Sequence, residues 1–282
     1  MNRFISGRHI FSNRLQAIGI GILIIFGLMA LGAPYLLPYD PKEPGIPFLS
    51  PSLQHFFGTN DMGYDIFAEW VCAARVSLTI GVLAGFISVF VGCGAGILAG
   101  YAKGITGEAM SGVIDVFLLI PMLPLMVVAA AYLGPGVLNS ILVIGLLCWC
   151  GTARAVRAKV MQLRKSPFVE ALRILGFSRY KIIISHIIPH MSDIVSAKFA
   201  TSVAAAMTSE AALSFIGFGD PSLLSWGGMI HFAMNRGGFS NNMWAWYLPP
   251  GLSIGICSLG FMLAGTPHSA VQERRISEGW ST

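Results

Sequence analysis

A chain of 282 residues that is 55% hydrophobic and 11% charged, with mean hydropathy +0.70, is not a soluble domain, because soluble folds carry roughly 25% charged residues. Its repeated apolar runs of about 20 residues are long enough to cross a bilayer, so the sequence is that of a polytopic, all-α membrane protein. The net charge of +5 calls for no nucleic acid, since Lys and Arg collect on the cytoplasmic side of membrane proteins and no RNA- or DNA-binding motif is present.

Arg3, Arg8 and Arg14 precede a first apolar run over 17–37. A secretory signal is the competing reading, with Ala30-Leu31-Gly32 as a small-x-small site, but the run outlasts a signal core of about 7–15 residues. Residues 38–70 are polar and rich in proline. Pro41, Pro44, Pro47 and Pro51 forbid a long helix, and Gly58, Asn60-Asp61 and Gly63 are turn chemistry. This segment reads as irregular and extracytoplasmic, either a surface for a partner or a spacer.

The second span covers 78–101. Gly81 and Gly85, Gly92 and Gly96, and Gly96 and Gly100 are spaced G-x-x-x-G, which lets membrane helices approach closely. After a short polar loop with Lys103 and Glu108, a span over 110–133 carries Asp115, Pro121 and Pro124. Gly134-Pro135-Gly136 turns the chain into a span over 137–155. The densest basic cluster follows: Arg154, Arg157, Lys159, Arg164, Lys165, Arg173, Arg179 and Lys181. A fifth span over 193–215, a glycine-rich polar loop over 217–244 and a sixth span over 246–265 complete the count.

With the N-terminus inside, the inside segments hold nearly all Lys and Arg, and the outside loops hold Lys42 and Arg236. Both termini are then cytoplasmic. Trp226, Trp244, Trp246 and Tyr247 are expected at the outer interface as an aromatic belt.

Residues 168–189 depart from a greasy hairpin turn. Phe168, Ala171, Leu172 and Leu175 recur at helical spacing and make one stripe. The short helix ends at Gly176, where a positive φ is cheap. A striped helix outside the membrane docks against a partner, or else lies as a basic loop on anionic lipid.

Ionisable groups inside spans are costly. Asp115 and Lys198 fall near the cytoplasmic third of their helices and could pair; Glu210 lies toward the outer end of the fifth span. Each lines a hydrated path or plays a structural or interfacial part. No catalytic motif or phosphate-binding loop is present, so any ATP used must be bound by another chain. Cys72, Cys93, Cys148, Cys150 and Cys257 show no zinc spacing and read as small packing residues. The histidines form no ligand cluster in sequence, so no metal site is expected.

From Glu170-Ala171 through Gly176 to Pro189, the chain resembles the coupling loop of binding-protein-dependent ABC-transporter permeases, specifically the second permease type of the dipeptide, oligopeptide and nickel branch. Tyr39-Asp40-Pro41, the stretch from His55 to Asp65, Asp115 with Pro121, Ser209 to Gly219, Ser225-Trp226-Gly227 and Pro250-Gly251 are similar to the branch in the same order. Asn60 and Tyr64 replace its usual Asp and Arg, and Gly265-Thr266-Pro267-His268-Ser269 departs from its tail motif.

The resemblance implies a type I ABC importer permease fold with six transmembrane helices. Its parts are an N-tail and first helix (1–37), an extracytoplasmic segment (38–71), a permease core (72–267) with its coupling loop (160–189), and a cytoplasmic tail (268–282). It implies a heterodimer with a paralogous permease, two cytoplasmic ATPases that hold ATP and Mg, an extracytoplasmic binding protein and surrounding lipid. Glu170 and Arg173 would make polar contacts with the ATPase. Ala171, Leu172 and Leu175 would pack there, Gly176 would end the helix, and Pro189 would start the next span. This chain is then non-catalytic and carries no cofactor. The expected cargo is peptide, with nickel or a metal chelate as the alternative within the branch. A secondary transporter or channel is the rival of another class; it needs inverted repeats or broken helices, and none is evident in the sequence.

Overall fold

The computed structural model describes residues 14–36, 43–102 and 104–266. Arg3, Arg8, Lys42, Lys103, the Tyr39-Asp40-Pro41 motif and the tail with Arg274 and Arg275 lie outside them. The regular elements among the described residues are helical. Five helical stretches are long and apolar enough to cross a bilayer, and a bent pair makes a sixth when its two arms count as one span.

Helix α2 (Ile66–Tyr101) is the post on which the others lean. Its 36 residues rise about 54 Å, well beyond the ~30 Å of a hydrocarbon core. It begins twelve residues earlier than the hydropathy pattern predicts. Asp65 caps it, its Oδ1 accepting the Ala68 N–H at 2.7 Å, while His55 Nδ1 meets the other carboxylate oxygen at 2.8 Å. The end of the proline-rich segment is therefore helical rather than irregular. The rest of that segment is folded back on itself: the Thr59 hydroxyl donates to the Ile46 carbonyl, and Asn60 Oδ1 accepts the N–H groups of Met62 and Tyr64.

The glycines of α2 divide between two neighbours. Gly81 and Gly85 face Met207 and Val203 of α9 (Ser192–Ile216). Gly92, Gly96 and Gly100 face Thr152, Val156 and Val160 of α6 (Cys150–Arg164). A Cβ at Gly96 would lie 2.6 Å from the Ala153 carbonyl oxygen, a clash that backbone cannot yield to. Gly96→Leu is therefore expected to part α2 from α6, giving protein that inserts yet unfolds well below the wild type in a detergent thermal melt. An unchanged melting temperature would refute this close approach.

Helix α1 (Arg14–Leu36) lies along α11 (Trp244–Ala264), and the Gln16 amide donates to the Ala264 carbonyl at 3.2 Å. Helices α3 (Ile105–Leu119) and α4 (Met122–Leu133) form the bent pair, at 90° to each other. Ile120, held extended at φ −74° and ψ 128°, precedes Pro121, which disfavours helical backbone before it. Pro124 falls in the first turn of α4, where its missing N–H breaks no bond. This corrects the expectation of an unbroken span over 110–133 and the reading that no helix is broken. Helices α5 (Val137–Leu147) and α6 follow as one crossing that runs to Arg164, past the predicted end at 155.

The glycine-rich stretch between the last two spans is not simply a loop. It contains α10 (Trp226–Asn235), wedged among α2, α9 and α11. Trp226 and Trp246 are fully buried, and the Trp226 indole N–H donates to the Trp70 carbonyl at 3.1 Å. These two tryptophans belong to the core rather than to an aromatic belt. Trp244 is half exposed. Arg75 sits on α2 near the end where the proline-rich segment and Arg236 lie.

Candidate functional site

Between α6 and α9 the chain builds a compact knob. Pro167 opens α7 (Pro167–Ile174), and the Ser166 carbonyl accepts the N–H groups of Val169 and Glu170. At the other end Gly176 takes φ +80°. Its N–H bonds the Arg173 carbonyl at 3.0 Å, and the Phe177 N–H reaches the Leu172 carbonyl at 3.1 Å. This is the paired closure of a helix ended by a left-handed residue, with Leu172 and Phe177 both packed on the same apolar cluster. Gly176 ends the helix as the sequence predicts.

The stripe does not hold as one face. Val169 is completely buried, in a cluster with Val156 and Val160 of α6 and with Ile182, Ile187 and Met191. Leu172 turns inward to the same cluster. Glu170, Ala171, Arg173 and Leu175 point outward, and so does Ile174, which is 82% exposed. A single-stripe pattern picks out neither the anchor Val169 nor the outward Ile174. Residues 169 and 172 form one face, and 171, 174 and 175 another.

The chain leaves the knob through α8 (Arg179–Ile182), capped by the Ser178 hydroxyl, which accepts the Lys181 N–H. A wide turn follows, closed by the Ile188 N–H to the Ile183 carbonyl at 2.9 Å. Pro189 then opens a tight turn into α9. The Phe168 ring stacks on His190 at 5.2 Å, and Lys181 lies over the Phe177 ring, so both phenylalanines tie the knob to its exit.

Asp115 does not pair with Lys198. It bonds Arg154 at 3.1 Å, both side chains being at least half exposed. The reason is topological: α3 packs on α6 through Ile114 and Ala153, whereas Lys198 lies on α9. Glu210 is buried within the subunit, being 1% exposed. Its carboxyl accepts from the hydroxyl of Ser214 at 2.6 Å and from that of Ser77 at 3.4 Å, and Ser225 also interacts with it. The Ser77 oxygen in turn accepts the Trp226 N–H at 3.0 Å. One carboxyl thus joins α2, α9 and the start of α10. No disulfide joins the five cysteines. In the loop before α10, hydrogen bonds from Ser222 hold the Asp220 carboxyl below its ordinary range.

A multi-pass helical membrane protein with a folded, partly apolar knob between two spans is the class that this architecture defines. The chain belongs to the binding-protein-dependent transport system inner membrane components, whose family model matches residues 92–278. A second model, the N-terminal TM domain of oligopeptide transport permease C, matches residues 6–57. The chain is 31% identical over 257 residues to the oligopeptide transport system permease protein OppC of Bacillus subtilis, covering 90% of this chain and 83% of that protein. It is 31% identical over 227 residues to the dipeptide transport system permease protein DppC of the same organism, covering 79% and 71%. It is 32% identical over 256 residues to DppC of Alkalihalophilus pseudofirmus, covering 90% and 83%. The family bears out the resemblance read from the motifs and makes the chain a membrane-embedded transport component rather than a stand-alone channel.

Proposed function

We propose that this chain is one of two permease subunits of an ATP-driven importer of di- or oligopeptides, coupled to separate ATPases through α7. The observation that carries this is the division of α7 into two faces. Val169 and Leu172 lock the helix to its own subunit, while Ala171, Ile174 and Leu175 are exposed along with Glu170 and Arg173. A rigid knob with an apolar tip can be gripped by a partner and can pass on rigid-body motion. On this reading the knob is cytoplasmic, along with the basic cluster around it, and the proline-rich segment faces the binding protein. ATP and Mg reside on two partner ATPases, the second permease is a paralogue, and lipid covers the remaining apolar surface.

Peptide is preferred over nickel or a metal chelate because the similar proteins named above are peptide permeases. A photoreactive residue at Leu175 in the assembled transporter is expected to cross-link to the nucleotide-binding subunit. Adducts to lipid alone would defeat the coupling reading. Uptake of labelled nickel, and not of labelled tripeptide, by the same vesicles would defeat the peptide reading.

A further inference from the structure

Where α2 begins, the proline-rich segment, α2, the 221–224 stretch and α11 enclose a cavity of about 550 Å³, a size usual for small-ligand sites. Its wall carries Asp61, Glu69, Arg75 and Arg236. Asp61 and Arg236 approach to 3.6 Å, and the guanidinium of Arg236 covers the Phe232 ring at 4.1 Å, so that pair offsets its own charge. Glu69 and Arg75 are different. Glu69 accepts from the Asn60 amide at 3.0 Å, and Arg75 donates Nε to the Ala30 carbonyl at 3.2 Å. Neither meets an opposite charge within 4 Å among the described residues. The cavity thus holds a carboxyl and a guanidinium that are not paired with each other.

Two further atoms want partners. Trp246 is 1% exposed and lines this cavity, and its indole N–H has no acceptor among the described residues. The Asp61 Oδ1 is buried and likewise without a donor. Buried polar groups without partners are rare, and they mark places where a ligand or an ordered water belongs.

Spacing narrows the ligand. Glu69 and Arg75 are six residues apart on one helix, about 9 Å along its axis at 1.5 Å per residue. An extended chain of two or three residues reaches roughly 7–10 Å. We propose that this cavity binds the zwitterion of a short peptide, Glu69 taking the N-terminal ammonium, Arg75 the C-terminal carboxylate and the Trp246 N–H a peptide carbonyl. The inference rests on the peptide-importer reading and deepens it, placing a recognition site in the permease itself.

The test uses the complete transporter in lipid nanodiscs, without the binding protein, and three probes: trialanine, its N-acetyl form and its C-terminal amide. Binding is measured calorimetrically. Both capped probes should bind the unaltered protein about tenfold more weakly than trialanine, the scale of one lost charge-assisted hydrogen bond. In Glu69→Gln the acetyl penalty should vanish while the amide penalty stays; in Arg75→Gln the reverse. Equal binding of all three probes, or no binding of trialanine, to the unaltered protein would overturn the proposal without any substitution. Tight binding of a single ammonium or carboxylate compound with no gain for the peptide would also overturn it. ATP-driven tripeptide uptake with the binding protein is run in parallel. If uptake persists while the probes fail, the cavity assignment alone falls; if uptake fails, the importer reading falls.

Discussion

Val169→Asp will abolish ATP-driven uptake while the protein still reaches the membrane. Val169 is fully enclosed by aliphatic side chains from α6, α8 and the exit turn, and a carboxylate placed there has no hydrogen-bond donor to meet it. The penalty is several kcal/mol or an undocked helix, and an undocked α7 can be held by a partner without moving the spans. The apolar spans that drive insertion are untouched. Val169→Ile keeps the volume nearly constant and should retain most uptake. Gly176→Val is the graded companion: space is open around its Cβ, but the φ of +80° is strained for a branched side chain. It should cost less than the aspartate and reduce uptake in part. The measurement is labelled-peptide uptake into proteoliposomes, normalised to permease content, beside the ATPase rate. Full uptake by the aspartate variant would mean that α7 does not transmit the motion.

The second large effect belongs to Glu210. Glu210→Leu is expected to lower the thermal unfolding temperature in detergent by roughly 6 °C or more, from about 3 kcal/mol lost when hydroxyls that donated to a carboxyl are left without an acceptor. Ser77 and Ser214 would keep their positions but lose that acceptor. The start of α10, held to α2 through the Trp226 N–H and Ser77, would loosen. Glu210→Gln keeps an acceptor oxygen and should lie between the two. Pairing each change with Ser77→Ala separates the shared network from independent effects: a network gives losses that do not add. Additive losses, or a melt unmoved by the leucine, would show that Glu210 does not fasten α10.

The contrast between these two sites shows what kind of information each level holds. The sequence alone determined the membrane class, the number of helical spans though not their bounds, the close-packing glycines of α2, the short helix ended at Gly176 and, through its ordered motifs, the family. These follow from local chemistry: transfer of apolar side chains, the positive φ of a glycine, the spacing of small residues. Tertiary structure alone decided that Asp115 meets Arg154, that Glu210 is enclosed by serines, that Trp226 and Trp246 are core, and that the α7 stripe splits into an anchor and a tip. It also decided that Glu69 and Arg75 share a cavity with Trp246. Each of these depends on which helix lies beside which. Hydropathy does not encode that, because it reports which stretches enter the membrane, and partners are selected by shape and by pairing of the few polar groups once the helices have met.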